Sequence, residues 1–406
     1  MTTASRVFVA VLAGLLAFGF AGPASAATHG KAKHRAASRA ATPEPAVPST
    51  IGIDTEARHA IVVEVETGTV LLDKGADERI PPASMSKMMT AYVVFGMLKS
   101  GRAKLTDELP VSEEAWRLGG SKMFVPIGAE VSIDDLLHGV IIDSGNDACL
   151  VLAQGLAGSE PAFVDLMNKK AKEIGLTESH FNNVTGLPDP EHWTSARDLA
   201  TLAIRTIKDF PEFYKLYSQE DFTYNNIKQG NRNALLYKNI GADGLKTGHT
   251  QESGYSLTAS VVRGDRRIVV VLSDLPTMRA RSEESDRLVD WAFQQFKNYR
   301  LFGAGETVEA PEVWLGNAPR VPLTVAKDLL LTLPRNARND LKVTAQYDAP
   351  IPAPIRKGEI LGKLVVNAPQ MPSIEQPLIA AADVARMGAI GRVATLAGYL
   401  VWGERH

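Results

Sequence analysis

Residues 81–95 read PPASMSKMMTAYVVF. Two prolines lead into Ser84, Lys87 follows three positions later, and a long apolar run begins. The stretch has two readings. A serine after proline at a helix start satisfies free backbone N–H groups, and the lysine is then surface decoration. The same spacing also places a serine and a lysine on one helix face, as a nucleophile and its base would require. A Ser-x-x-Lys string arises roughly once by chance in a chain of this composition, so other segments must decide.

Two of them do. DSGND at 143–147 supplies Ser144-x-Asn146, and GLKTGHT at 244–250 supplies Lys246-Thr247-Gly248. Taken singly, the first reads as a loop before a helix and the second as a turn with a surface lysine. In the order Ser-x-x-Lys, Ser-x-Asn, Lys-Thr-Gly, they form the motif set of the penicillin-recognising serine enzymes. The chemistry calls for each residue type. A serine hydroxyl is a weak nucleophile until a base takes its proton. Lys87 serves as a base only when neutral, which burial and the nearby charge of Lys246 would both favour. Ser144 can relay a proton to the leaving amine, and Asn146 can hold a substrate amide. Lys-Thr-Gly on a strand edge offers a cation, a hydroxyl and an unobstructed backbone for an extended peptide with a carboxylate. Backbone N–H groups of Ser84 and His249 are the expected oxyanion donors, and His249 is expected to act through its backbone. His192, Trp193 and Arg197 read as loop braces; Asp143 and Asp147 either tune the site or cap a helix.

The rest of the 406-residue chain limits the possibilities. Its formal net charge of −2 gives no reason to expect a nucleic-acid partner. The single cysteine, Cys149, excludes an intrachain disulfide and a cysteine-type zinc site, and its apolar setting reads as buried packing. Residues 1–26 have the form of a secretory signal peptide: Arg6, the uncharged run Val7 to Phe20, and Ala24-Ser25-Ala26 as cleavage site. Residues 27–50, rich in Ala and Pro, read as a linker.

Ala60 to Val65 and Val70 to Leu72 flank Thr67-Gly68 as a hairpin. Ser84 to about Leu98 is helical in pattern, as are Ile133 to Val140, Asp147 to Ala157 and Pro161 to Ile174. Strand patterns return at Tyr255 to Val262 and Ile268 to Leu272, with a closing helix at Arg281 to Phe296. Strands at both ends with helices between them imply an α/β (α+β) domain over 51–302 whose sheet pairs early with late segments. Short strand runs punctuated by proline over 303–382 imply a small all-β sandwich. In 383–406, Met387, Ile390, Ala394, Ala397 and Val401 recur at helical spacing. That predicts an amphipathic helix, lying at a membrane interface or packed on the β-rich domain.

With these motifs the chain resembles the serine-type D-alanyl-D-alanine carboxypeptidases of the low-molecular-mass penicillin-binding proteins, from about residue 50 onward. NNVTGLPDPEHWTSARDLA (182–200), GHTQESGYSLTAS (248–260) and RARSEESDRL (279–288) carry the resemblance further. The last is similar to the segment that gives an arginine to the substrate carboxylate, by position Arg281, with Arg279 close by. The resemblance implies a transpeptidase-like domain, a β-rich domain and a membrane-associating terminal helix. It also implies a periplasmic enzyme that trims the last D-alanine from peptidoglycan stem pentapeptides through an acyl-enzyme on Ser84. β-Lactams would be inhibitors and no metal or organic cofactor would be needed.

A class A β-lactamase would add an Arg-x-Glu-x-x-Leu-Asn loop, and no such string occurs between Asn146 and Lys246. A D,D-endopeptidase shares every residue named. A non-catalytic wall-binding protein would show damage in at least one motif, and all three are intact.

Overall fold

The computed structural model describes residues 5–11, 52–369, 373–389, 391 and 393. The chain divides into two compact units, Val47–Asn298 and a second one formed by Tyr299–His406 with Met1–Ala46.

The first unit is built on a five-stranded antiparallel sheet. Its strands are β1 (His59–Glu64), β2 (Val70–Lys74), β3 (Ala242–Thr250), β4 (Gly254–Arg263) and β5 (Arg266–Leu275), in spatial order β2-β1-β5-β4-β3. Early strands therefore pair with late ones, with Val62 opposite Val270 and Val269 opposite Ser260. Both sheet faces are covered, so the middles of β1 and β5, Ala60 to Val63 and Ile268 to Leu272, are apolar on both sides. Ile61, Val63, Val269 and Val271 point into one core, shared with α1 (Lys87–Lys99), α2 (Asn146–Ala157), α3 (Glu160–Ile174) and α4 (Ala196–Asp209). Ala60, Val62, Ile268, Val270 and Leu272 point the other way, onto Leu288, Val289 and Ala292 of α5 (Met278–Gln295).

Local signals set the helix ends. Ser159 Oγ accepts from Ala162 N–H at the start of α3, and Gly175, at φ +84°, ends it. Ser195 and Thr277 cap α4 and α5 in the same way. The first helix differs from its sequence pattern. Ala83–Ser86 is a separate 3₁₀ turn, with Ala83 in the left-handed region at φ +49°, and α1 begins only at Lys87. Ser84 therefore caps nothing; it rides on a turn.

The second unit is all-β. Its larger sheet contains Lys342–Asp348, Ile360–Asn367, Ile374–Ala380, Leu323–Thr324 and Thr307–Glu309 in spatial order, around Leu331, Val343, Leu364 and Leu378. Ser5–Val11, inside the expected leader, lies antiparallel along Lys342–Asp348 at the sheet edge. The remainder of the leader and the 27–50 linker lie outside the described residues.

The expected start of the terminal helix at Asp383 is corrected. Val384 forms a β-bridge with Ile355 and is buried in the β core, and Arg386 bridges Gly316. The backbone is extended there because its N–H and C=O groups are engaged: Met387 N–H donates to Leu315 C=O at 2.8 Å. Most of the residues beyond Met387 lie outside the description. Among the described residues no helix is long and apolar enough to cross a membrane.

Candidate active site

Three elements meet at Ser84. Its own turn is tied by Ser86, whose hydroxyl donates to Ala83 C=O at 2.9 Å and lies 2.8 Å from His192 Nε2. Burial lowers the His192 pKa to about 4, so the ring is neutral. Its Nδ1 accepts from Asn182 N–H at 3.3 Å, which leaves Nε2 as the donor to Ser86. The histidine thus joins the nucleophile turn to the loop at 182–193. Trp193 stacks on His180, and Arg197 binds Asp77 and Asp73, so all three expected braces are braces.

The second element is that loop. Asn183 Oδ1 accepts from the N–H groups of Thr185 and Gly186 and from Thr185 Oγ1, which turns Thr185 C=O toward Lys87. Lys87 Nζ donates to that carbonyl at 2.6 Å and to Ser84 Oγ at 3.0 Å. Lys87 is only 1% exposed, and burial brings its pKa down to about 8, assisted by the charge of Arg232 and opposed by Cys149 and Asp147. The charges of Lys87 and Lys246 repel each other, so their proximity disfavours having both amines protonated. Burial pushes Lys246 well down in turn, with Lys87 and Arg232 adding to the effect, and at about 8 Lys87 has a neutral fraction near pH 7 that an ordinary lysine lacks.

Ser144 follows a π-helical turn, Gly139–Asp143, and sits in the left-handed region at φ +61°. Its Oγ is fully buried without a hydrogen-bond partner among the described residues. Asn146 opens α2 and gives its amide to Gly119 C=O at 2.8 Å. Asp147 lies one residue inside α2 and accepts from Ala148 N–H in its first turn at 2.9 Å. Its carboxylate accepts from the N–H groups of Met123, Phe124 and Val125, fixing the loop that carries Gly119 and Ser121.

The third element is β3, the edge strand of the sheet. Lys246 and Thr247 are buried on it, and a Cβ on Gly248 would lie 3.0 Å from Pro82 C=O and 3.2 Å from Ala83 Cβ. The missing side chain lets the strand lie directly across the Ser84 turn. His249 stands at the exposed end, its ring 4.0 Å from that of Tyr255. Behind the strand, Arg281 is buried, with contacts at 3.5 Å to Ser256 C=O and 3.3 Å to Arg232 C=O. Arg279 is exposed and paired with Glu283, so of the two arginines Arg281 is the one turned toward the site.

Arg232 was not picked out in the sequence. It donates to Ser121 Oγ and to Asp143 C=O, linking the two serine-bearing loops beside the lysines. No motif surrounds it, and only the hairpin Asp221–Tyr224/Ile227–Gly230 just before it, with its Asn225-Asn226 turn, hinted at a loop folding back. Among the described residues no cluster of His, Cys, Asp and Glu could hold a metal. The arrangement can deprotonate a serine, pass a proton through a second hydroxyl and hold an anion next to an open strand edge.

The profile of the D-alanyl-D-alanine carboxypeptidase family matches residues 41–277, and that of the penicillin-binding protein 5 C-terminal domain matches 296–386. The chain is 39% identical to D-alanyl-D-alanine carboxypeptidase DacC of Escherichia coli, over 83% of this chain and 86% of the relative. Penicillin-binding protein 5 of Haemophilus influenzae superposes with a TM-score of 0.76 at 37% identity, over 83% of this chain and all of that one. Penicillin-binding protein D2 of Listeria monocytogenes, solved with ampicillin bound, gives 0.55 at 29% identity over 60% of this chain and 99% of that one.

Proposed function

The chain belongs to the serine-type D-alanyl-D-alanine carboxypeptidases of the low-molecular-mass penicillin-binding protein family, and on that premise we propose how its residues perform the reaction. It removes the terminal D-alanine from peptidoglycan pentapeptides, and Ser84 is the nucleophile. The observation that carries this is the 3.0 Å contact from Ser84 Oγ to a buried Lys87 whose pKa is lowered to about 8. The neutral amine takes the hydroxyl proton as Oγ attacks the carbonyl between the two D-alanines. The resulting oxyanion is held by the N–H groups of Ser84 and His249, which Gly248 allows to approach. Collapse breaks the C–N bond. The proton returns from Lys87 through Ser144 Oγ to the departing amine, and D-alanine leaves. Water then hydrolyses the ester, its proton passing back by the same route.

Asn146 holds the substrate amide, and the open edge of β3 pairs with the peptide backbone. Lys246, Thr247 and Arg281 receive the terminal carboxylate, whose charge pairs with the buried Arg281 guanidinium and favours protonation of Lys246. A β-lactam mimics that peptide and acylates Ser84 in its place. Ser84→Ala should abolish both D-alanine release and covalent penicillin labelling; labelling that persists overturns the assignment.

The same reading includes location. Residues 1–26 direct export to the periplasm, where the substrate lies. The apolar spacing beyond Met387 supports a peripheral tether to the cytoplasmic membrane.

A further inference from the structure

Side-chain alternation divides the Lys-Thr-Gly-His run between the two faces of the sheet. Lys246 and Gly248 lie opposite Thr258 and Ser256 of β4, on the side of the Ser84 turn, where Thr258 Oγ1 meets Met85 Sδ at 3.4 Å. Thr247 and His249 lie opposite Leu257 and Tyr255, on the side of α5. Arg281 belongs to that side as well. It stands one turn into α5, its N–H donating to Thr277 C=O at 3.0 Å, and its guanidinium reaches Ser256 C=O, level with Gly248.

The charge of Arg281 is left uncompensated. The three acidic residues that follow it on α5 are engaged elsewhere: Glu283 with Arg279, Glu284 with Arg287 and Thr55, Asp286 with Lys238. Among the described residues no carboxylate pairs with Arg281, and its two carbonyl contacts are long, at 3.3 and 3.5 Å. Its remaining contact is aromatic, with Cζ 5.9 Å from the centre of the Tyr255 ring. That ring is itself fixed. Tyr255 lies between His249 of β3 and Leu275 of β5, packs on the core that holds Leu257, and has the His249 ring at 4.0 Å. An aromatic face attracts a guanidinium through its quadrupole yet carries no net charge. It orients the arginine without neutralising it, whereas a carboxylate in the same place would compete with an anionic substrate.

We propose that Tyr255 is a positioning residue for the reaction: its ring aims Arg281 at the terminal carboxylate of the substrate and leaves the positive charge free to bind it. The proposal rests on the carboxypeptidase reading. The test measures D-alanine release by the mature enzyme from a pentapeptide ending in D-Ala-D-Ala. Tyr255→Phe keeps the ring and should stay within about twofold of wild type. Tyr255→Leu should lower kcat/KM about fivefold, chiefly through KM, the scale of a cation–π contact at a partly exposed ring. Tyr255→Met repeats the removal with a side chain that adapts to irregular space, should the leucine variant fold poorly. A merely structural effect would persist without the arginine. In an Arg281→Gln background, therefore, either ringless variant should cost less than about twofold further. Ringless variants with wild-type KM, a phenylalanine variant that loses as much as they do, or an equal loss in both backgrounds overturns the positioning role. Arg281→Gln with unchanged KM removes the carboxylate contact and this proposal with it. A wild type that releases no D-alanine overturns the carboxypeptidase reading itself, so the failures are distinct.

Discussion

A carboxyl group buried without a hydrogen-bond partner resists ionisation, and Asp143 is in that position. It is 2% exposed, its Oδ1 finds no donor among the described residues, and burial raises its pKa to about 7. Arg232 and Lys246 oppose the rise and Asp147 adds to it. The folded protein thus holds this proton more tightly than the unfolded chain does. Asp143 accordingly costs increasing stability as pH rises from about 4 to about 7, and a constant amount above that. Asp143→Asn should stabilise the protein more at pH 8 than at pH 5, by up to about 3 kcal/mol, given about 1.4 kcal/mol for each unit of pKa. Denaturant unfolding at the two pH values measures the difference; equal gains would show that the carboxyl is not buried in its neutral form. The sequence left tuning and capping open for this residue, because both roles suit an aspartate just before a helix. Only the π-helical turn at 139–143 separates them, and no residue pattern announces it.

At the scale of elements, the site depends on a loop fitting beneath a turn. Gly186 has φ +81°, and a Cβ there would lie 1.8 Å from Ala83 C=O. Gly186→Ala must therefore displace either the Ser84 turn or the loop carrying Thr185 C=O. Misplacing reacting groups by about an ångström can cost about a hundredfold in rate, and kcat/KM should fall on that order. Gly175→Ala is the control. It has a similar φ of +84°, at the end of α3, with nothing within 4 Å of the added methyl. It should lower the melting temperature through backbone strain alone and leave turnover near wild type. Comparable activity loss in both variants would reduce the Gly186 effect to general strain. The helices and strands themselves were legible from periodicity, as in the helix expected from Pro161 to Ile174 and found from Glu160 to Ile174. The couplings between elements were not. Ser86 to His192, Lys87 to Thr185 and Arg232 to Ser121 join residues about a hundred positions apart, and local pattern does not encode such pairs.

For the whole molecule, the change in texture near residue 302 marks a real division, which the structure places between Asn298 and Tyr299. Proline-punctuated strand runs made the β unit legible, while its C-terminal limit was misjudged because Val384 alone gives no strand pattern. Val384 is nevertheless 2% exposed in the β core, and Arg386 Nε donates to Ala353 C=O at 3.0 Å. This fixes where a truncation can separate tether from fold. Removing everything after Met387 takes away the apolar positions Ile390, Ala394, Ala397 and Val401 and leaves the β-bridges whole. Removing everything after Ala382 also exposes the site vacated by Val384, worth about 1.5–3 kcal/mol for a fully buried side chain of this kind, and breaks the bridges to Ile355 and Gly316. The shorter deletion should keep pentapeptide turnover and melting temperature while moving the protein from the membrane pellet to the soluble fraction. The longer one should release the protein equally and lower the melting of the β unit by several degrees. Alanine-rich faces bind membranes weakly and reversibly, so the fractionation has to be done at low salt, where Arg392 still adds its attraction to anionic lipid. A protein ending at Met387 that still pellets rules out the tether, and one that melts several degrees lower shows that the terminal segment is packed on the fold.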